Sequence, residues 1–127
     1  MASQTVKFEY DQERNLLFAE DDFEINTPEE ADRFVGIYRE QFEKIGRPVH
    51  IVARVDGLYI NDSVRAYYGD RSRPVSQRWC LTFARYGSTA IGRMNAKFMG
   101  RKADFEAGVY QTLEEAVAAS LPGKSQA

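Results

Sequence analysis

The chain has 127 residues, 43% of them hydrophobic and 13% aromatic, and a net charge of −2, which suits one folded domain with its own core and speaks against disorder. A single cysteine and a single histidine exclude a disulfide framework, a multi-cysteine metal centre and a paired-histidine site, so neither a metal nor another cofactor is expected. No apolar run approaches the roughly 18–20 residues that cross a bilayer, and the opening Met-Ala-Ser-Gln-Thr-Val lacks the basic-then-apolar pattern of a signal peptide, which together with the lone thiol points to a reducing, cytoplasmic setting.

Residues 5–10 alternate, with Val6, Phe8 and Tyr10 on one side and Lys7 and Glu9 on the other, the pattern of a half-buried strand. The polar residues 11–15 have hairpin length, and residues 16–25 continue as a second strand that should pair antiparallel with the first. Thr27 can cap a helix, Pro28 fits its first position and Glu30 completes a Thr-x-x-Glu capping box. Ala31, Phe34, Val35, Tyr38, Phe42 and Ile45 then follow the spacing of one buried helical stripe. Gly46 ends this helix and Pro48 prevents its continuation.

Residues 49–55 are apolar apart from His50 and Arg54, as in a strand covered on both faces. Asp56-Gly57 reads as a turn. Asn61 or Asp62 can cap a short helix whose Val64, Tyr67 and Tyr68 point inward and which Gly69 closes. Residues 70–77, with Pro74, read as a loop. Residues 78–85 form a fourth strand, Gly87-Ser88-Thr89 a turn, residues 90–99 a helix and residues 105–110 a fifth strand. Thr112-Leu-Glu-Glu115 opens a last helix with a second capping box.

The resulting order is β-β-α-β-α-β-α-β-α: one α/β domain over residues 1–121 and a frayed tail over residues 122–127. It predicts a mixed five-stranded sheet with an N-terminal antiparallel hairpin, later strands parallel through right-handed crossovers, and about four helices.

This element order spans nearly the whole chain. With Val55-Asp56-Gly57 followed by Asn61-Asp62-Ser63 at the head of the second helix, and the ending Val109-Tyr110-Gln-Thr-Leu-Glu-Glu-Ala116-Val, it resembles the STAS-like domains, the fold of bacterial anti-sigma factor antagonists and their relatives. Members commonly carry an Asp-Ser pair where the third strand meets the second helix, and a partner kinase phosphorylates that serine. The resemblance implies a regulatory protein–protein module with Ser63 as the counterpart serine, Asp62 beside it and Asp56 at the same crevice. Phosphoregulated members follow the serine with a small residue and a glycine. Val64 and Arg65 stand there in this chain, which is closer to the divergent STAS-like proteins, some of them similar to lipid-associated forms.

The residues themselves make a case for Ser63 because a phosphate at a helix start meets free N–H groups and changes the surface charge. The ordinary role of an Asp-Ser pair in that position is to cap the helix, and this is the first reading of Asp62 and Ser63. Gly87, Ser88 and Thr89, flanked by Arg85, Tyr86 and Arg93, offer a second anion nest, for which a capped tight turn is the simpler account. Tyr67 and Tyr68 complete the expected partner surface, or, with Ile91 and Met94, line a pocket for a small anionic or lipid-like ligand. Asp21-Asp22 and Glu29-Glu30 read as solvated carboxylates. His50 reads as a hydrogen-bonded core or edge residue, and Cys80 as a small buried hydrophobe. No nucleophile elbow, Walker lysine or dinucleotide fingerprint is present, and no catalytic residue is assigned.

Charge is segregated along the chain. Residues 1–63 hold seven Lys/Arg against 14 Asp/Glu, whereas residues 64–102 hold nine against one. Either the two blocks face each other in the fold or in a homodimer, or the basic block meets a partner. The basic residues interleave with aromatics, but no nucleic-acid motif accompanies them and the pI is near 5.5, so nucleic acid is not the expected partner. The expectation is a non-enzymatic regulatory module with a protein partner, such as a kinase or an anti-sigma-type regulator; the alternative is a small-ligand or lipid-binding module using the same crevice.

Overall fold

The computed structural model describes residues 4–87 and 108–121. Their order is β1 (Gln4–Asp11), β2 (Leu16–Ile25), α1 (Pro28–Ile45), β3 (Val49–Ile60), a 3-10 turn (Asp62–Val64), α2 (Arg65–Trp79), β4 (Cys80–Tyr86), β5 (Gly108–Tyr110) and α3 (Leu113–Ser120). The five strands lie in the order β1-β2-β3-β4-β5. β1 and β2 pair antiparallel, and every later neighbour is parallel. The mixed five-stranded α/β sheet matches the expectation. The described residues hold three α-helices rather than about four, and the helix expected over residues 90–99 lies outside them, as do residues 105–107 of the expected fifth strand and the tail.

The hairpin is set by Asn15, which takes the left-handed conformation (φ 53°), accepts from the Tyr10 hydroxyl at 2.6 Å and donates to Pro48 O at 2.9 Å. α1 begins and ends where its signals stand. The Thr27 side chain accepts from Glu30 N at 3.2 Å, and Gly46, at φ 84°, sends its N–H to Phe42 O at 2.8 Å. The capping box is only half made, because the Glu30 carboxylate takes the N–H of Asn26 instead of Thr27. At α3 both halves close between Thr112 and Glu115.

Strand periodicity divides the core into two layers. Leu17, Ala19, Phe23, Ile25, Ile51, Ala53 and Val55 face α1 and α2. Leu16, Val52 and Ala84 face the other way and meet Ala116 of α3 and Leu121 just after it. β3 is thus covered on both faces, as its apolar run implies. On the α3 side His50 Nδ1 lies 2.9 Å from Thr82 Oγ1, which donates to Ser120 O at 2.6 Å, while Ser120 Oγ donates to Ile51 O. The histidine is a bridge between β3 and β4.

Two segments depart from the sequence reading. Residues 70–77 continue α2 instead of forming a loop, and Arg78 and Trp79 end that helix instead of opening β4. The inward stripe is Tyr68, Ser72, Val75 and Trp79, spaced i, i+4, i+7, i+11, and it escapes notice because a serine occupies one of its four places. Trp79 stacks on Phe42, ring centroids 6.1 Å apart at 17°. Burying Trp79 and Tyr68 contributes roughly 1.5–3 kcal/mol each, enough to offset the roughly 3 kcal/mol of an interior proline.

The second departure is Asp56-Gly57, which forms a β-bulge inside β3 rather than a turn. Glu20 pairs with Arg54 and Asp22 with Gly57, so β3 spends one extra residue there. A Cβ on Gly57 would stand 3.0 Å from Asp21 O and 3.2 Å from Asp22 Cα, so glycine is what lets the two strands stay in contact. The bulge restores the inward facing of Leu58 and Ile60 and carries β3 beyond the end of β4.

Candidate functional site

The extension of β3 delivers Asn61, Asp62 and Ser63 to the surface. Asn61 N–H is held by Ile25 O at 2.7 Å, which ties the junction to the end of β2. The cap is Asn61: its Oδ1 accepts from Ser63 N at 3.0 Å and from Ser63 Oγ at 2.8 Å. Ser63 and Asp62 are both exposed. Asp62 Oδ1 lies 2.9 Å from Arg65 Nε, the next turn along. Val64, by contrast, is buried and anchors the turn to the core.

The other expected residues do not gather around Ser63. Asp56 sits within β3 on the face away from α1 and α2, 3.0 Å from Arg54 Nε. Tyr86 is half-buried on that same face, in the layer shared with α3. Gly87 is buried and its N–H meets Tyr110 O at 3.0 Å, so it closes β4 onto β5. Ser88, Thr89 and Arg93 lie outside the described residues, as do Ile91 and Met94. Tyr67 is half-buried and its hydroxyl donates to Asp32 Oδ2 at 2.8 Å, with the Arg71 guanidinium over its ring and 3.5 Å from Asp32. Asp32 on α1 and Arg71 on α2 join the acidic and basic blocks across the helix pair. The charge asymmetry is therefore partly closed within the fold, and Arg78 lies over the Trp79 ring.

Arg85 and Tyr68 face inward, and they mark a cluster that sequence reasoning missed. Arg85 is 2% exposed and lies on the α1/α2 side of β4, its guanidinium 4.3 Å from the Phe83 ring centroid. Across β3, Asp21 of β2 is also buried, and the Tyr38 hydroxyl donates to its Oδ1 at 2.6 Å. Burial pushes the Asp21 carboxyl up to about 7, against the opposing pull of the Tyr38 hydrogen bond and the Arg85 charge. Burial likewise drives Tyr68 up to about 12 and raises Tyr38 well above its ordinary range, with the nearby Asp21 charge adding to the effect. Cys80 at the edge of this cluster is pushed up to about 12, again by burial first, which keeps it a thiol.

Asp21 had read as a solvated member of an Asp-Asp pair. Its alternation with Ala19 and Phe23 in β2 was the signal that it faces inward. Between these groups lies a cavity of about 30 Å³, lined also by Phe34, Leu58 and Ser72, room for a water or two. Among the described residues no three His, Cys, Asp or Glu side chains stand close enough to hold a metal ion, and no helix is long and apolar enough to cross a membrane.

Compared with models of known protein families and with curated protein sequences, the chain matches none.

Proposed function

We propose that the chain is a cytoplasmic, STAS-like, non-enzymatic regulatory module that acts through protein contact around Asn61, Asp62 and Ser63, with Ser63 as the residue whose modification alters the surface. The observation that carries this reading is the division of roles between Asn61 and Ser63. Asn61 supplies the cap through the Ser63 N–H, so the exposed Ser63 hydroxyl, which also donates to Asn61 Oδ1, is not the group that caps the helix. A phosphate there adds about −1.5 to −2 charges beside the Asp62–Arg65 pair, and changes the surface without taking the cap away. By its resemblance, a protein kinase or an anti-sigma-type regulator is the class of partner to look for.

A photo-crosslinking side chain at position 63 or 62, in cells that make the protein natively, tests this against the same group at Glu43, exposed on α1. A defined partner captured from 62 and 63 but not from 43 supports the proposal. Identical products from all three positions, or none from 62 and 63, overturn it.

A second reading, a small-ligand site, draws on the cavity among Asp21, Tyr38, Tyr68 and Arg85. At about 30 Å³ it is well short of the roughly 150 Å³ that admits benzene. That volume does not hold an organic or lipid-like ligand, so this reading comes second.

A further inference from the structure

β1 is the outer strand of the sheet, and among the described residues its only backbone partner is β2. An eight-residue strand with one open edge is a template for another strand. Its side chains divide cleanly. Thr5, Lys7 and Glu9 are exposed on one face, while Val6, Phe8 and Tyr10 are half-buried on the α1 face, with Phe8 edge-on to Tyr38 at 5.2 Å. A further strand along this edge would complete the burial of the second set.

We propose that the partner of this edge is a second copy of the same chain, with β1 pairing antiparallel to its own counterpart about a two-fold axis at Phe8. The argument is one of register. Residues directly opposite in an antiparallel pair share a face, and a two-fold axis normal to the sheet keeps like faces together. Only registers centred on a residue meet both conditions. Centring on Lys7 sets the two Lys7 side chains against each other, and centring on Glu9 does the same for the glutamates. Centring on Phe8 sets each Lys7 opposite the other copy's Glu9, each Val6 opposite a Tyr10, and Phe8 opposite itself. Two opposite-charge pairs, two aromatic–β-branched pairs and an aromatic pair are the cross-strand combinations that stabilise sheets.

The α1 flank fits the same axis. Gln4 of β1 hydrogen-bonds Glu30 and Arg33, so that flank of α1 lies beside β1. Arg33, half-buried Ile37 and Glu40 follow along it at helical spacing. The axis brings this mixed-charge flank beside its copy, and the two sheets become one of ten strands.

Charge reversal tests the register. Lys7 and Glu9 are exposed, so single changes there leave the core intact. Sedimentation of the wild-type chain should give twice the monomer mass of 14.5 kDa. Glu9→Lys alone and Lys7→Glu alone each oppose like charges twice and should weaken the dimer by about tenfold or more. Mixing the two single variants restores both opposite-charge pairs and should return the dimer at wild-type strength, as should the double exchange Lys7→Glu/Glu9→Lys. Circular dichroism of each variant confirms that it is folded. A monomeric wild type, single variants that dimerise as the wild type does, or a mixture that fails to recover would each overturn the proposal.

Discussion

The Tyr38 hydroxyl meets the Asp21 carboxylate at 2.6 Å in the layer between α1 and the sheet, and both groups are buried. The pair makes stability depend on pH in a direction opposite to that of a salt-bridged carboxylate. Asp21 stands near 7 in the folded chain against 3.8 as its ordinary value. The folded state therefore holds a proton that the unfolded state has released throughout that window. Stability from this group is complete below about pH 4 and is lost as pH rises through about 7. Three pKa steps correspond to about 4 kcal/mol as an upper figure. Urea unfolding from pH 4 to 8 should show this decline, and Asp21→Asn should flatten it.

Asn61 and Ser63 are separable by stability alone. Asn61→Ala removes the acceptor for both Ser63 N and Ser63 Oγ and should cost about 1 kcal/mol. Ser63→Ala leaves the cap in place and, at an exposed position, should stay within about 0.5 kcal/mol of the wild type. Equilibrium denaturation of the two variants reads the difference directly.

At the bulge, Gly57→Ala should lower stability by about 1–3 kcal/mol, because the new Cβ meets backbone of β2 at 3.0 Å rather than a movable side chain. The same substitution should raise amide exchange at Leu58 and Ile60, whose register the bulge sets.

In α2, Trp79→Ala should cost about 3–5 kcal/mol through loss of the stack on Phe42. Pro74→Ala should move stability the other way, by about 1 kcal/mol or more, since an alanine restores the N–H that a helix interior requires. Thermal unfolding of both variants checks the sign.

These segments mark how far the sequence alone was readable. α1 was legible to the residue because Thr27, Pro28 and Gly46 punctuate a stripe of five buried apolar side chains. The hairpin and the doubly covered β3 followed from period-two alternation and an unbroken apolar run. α2 was read short because Gly69 and Pro74 are breakers by local propensity, and only the contact of Trp79 with Phe42, distant in sequence, overrides them. The bulge hid behind Asp56-Gly57, a pair that ordinarily signals a turn. Asp21 and Arg85 were misread for a related reason. Charged residues are assigned to solvent unless a partner is known, and Asp21's partner Tyr38 comes from another element. The position of Ser63 at a strand–helix junction followed from the order of the elements. That Asn61 takes the cap and leaves the Ser63 hydroxyl exposed is a matter of side-chain geometry.

The most direct test of the proposed regulatory surface is calorimetric titration of the partner captured at position 63 with two forms of the chain, Ser63→Ala and Ser63→Asp. A difference in affinity of about tenfold or more, equivalent to about 1.4 kcal/mol, is the predicted result, because only the second form carries the added negative charge beside Asp62. Equal affinities for the two forms would contradict it.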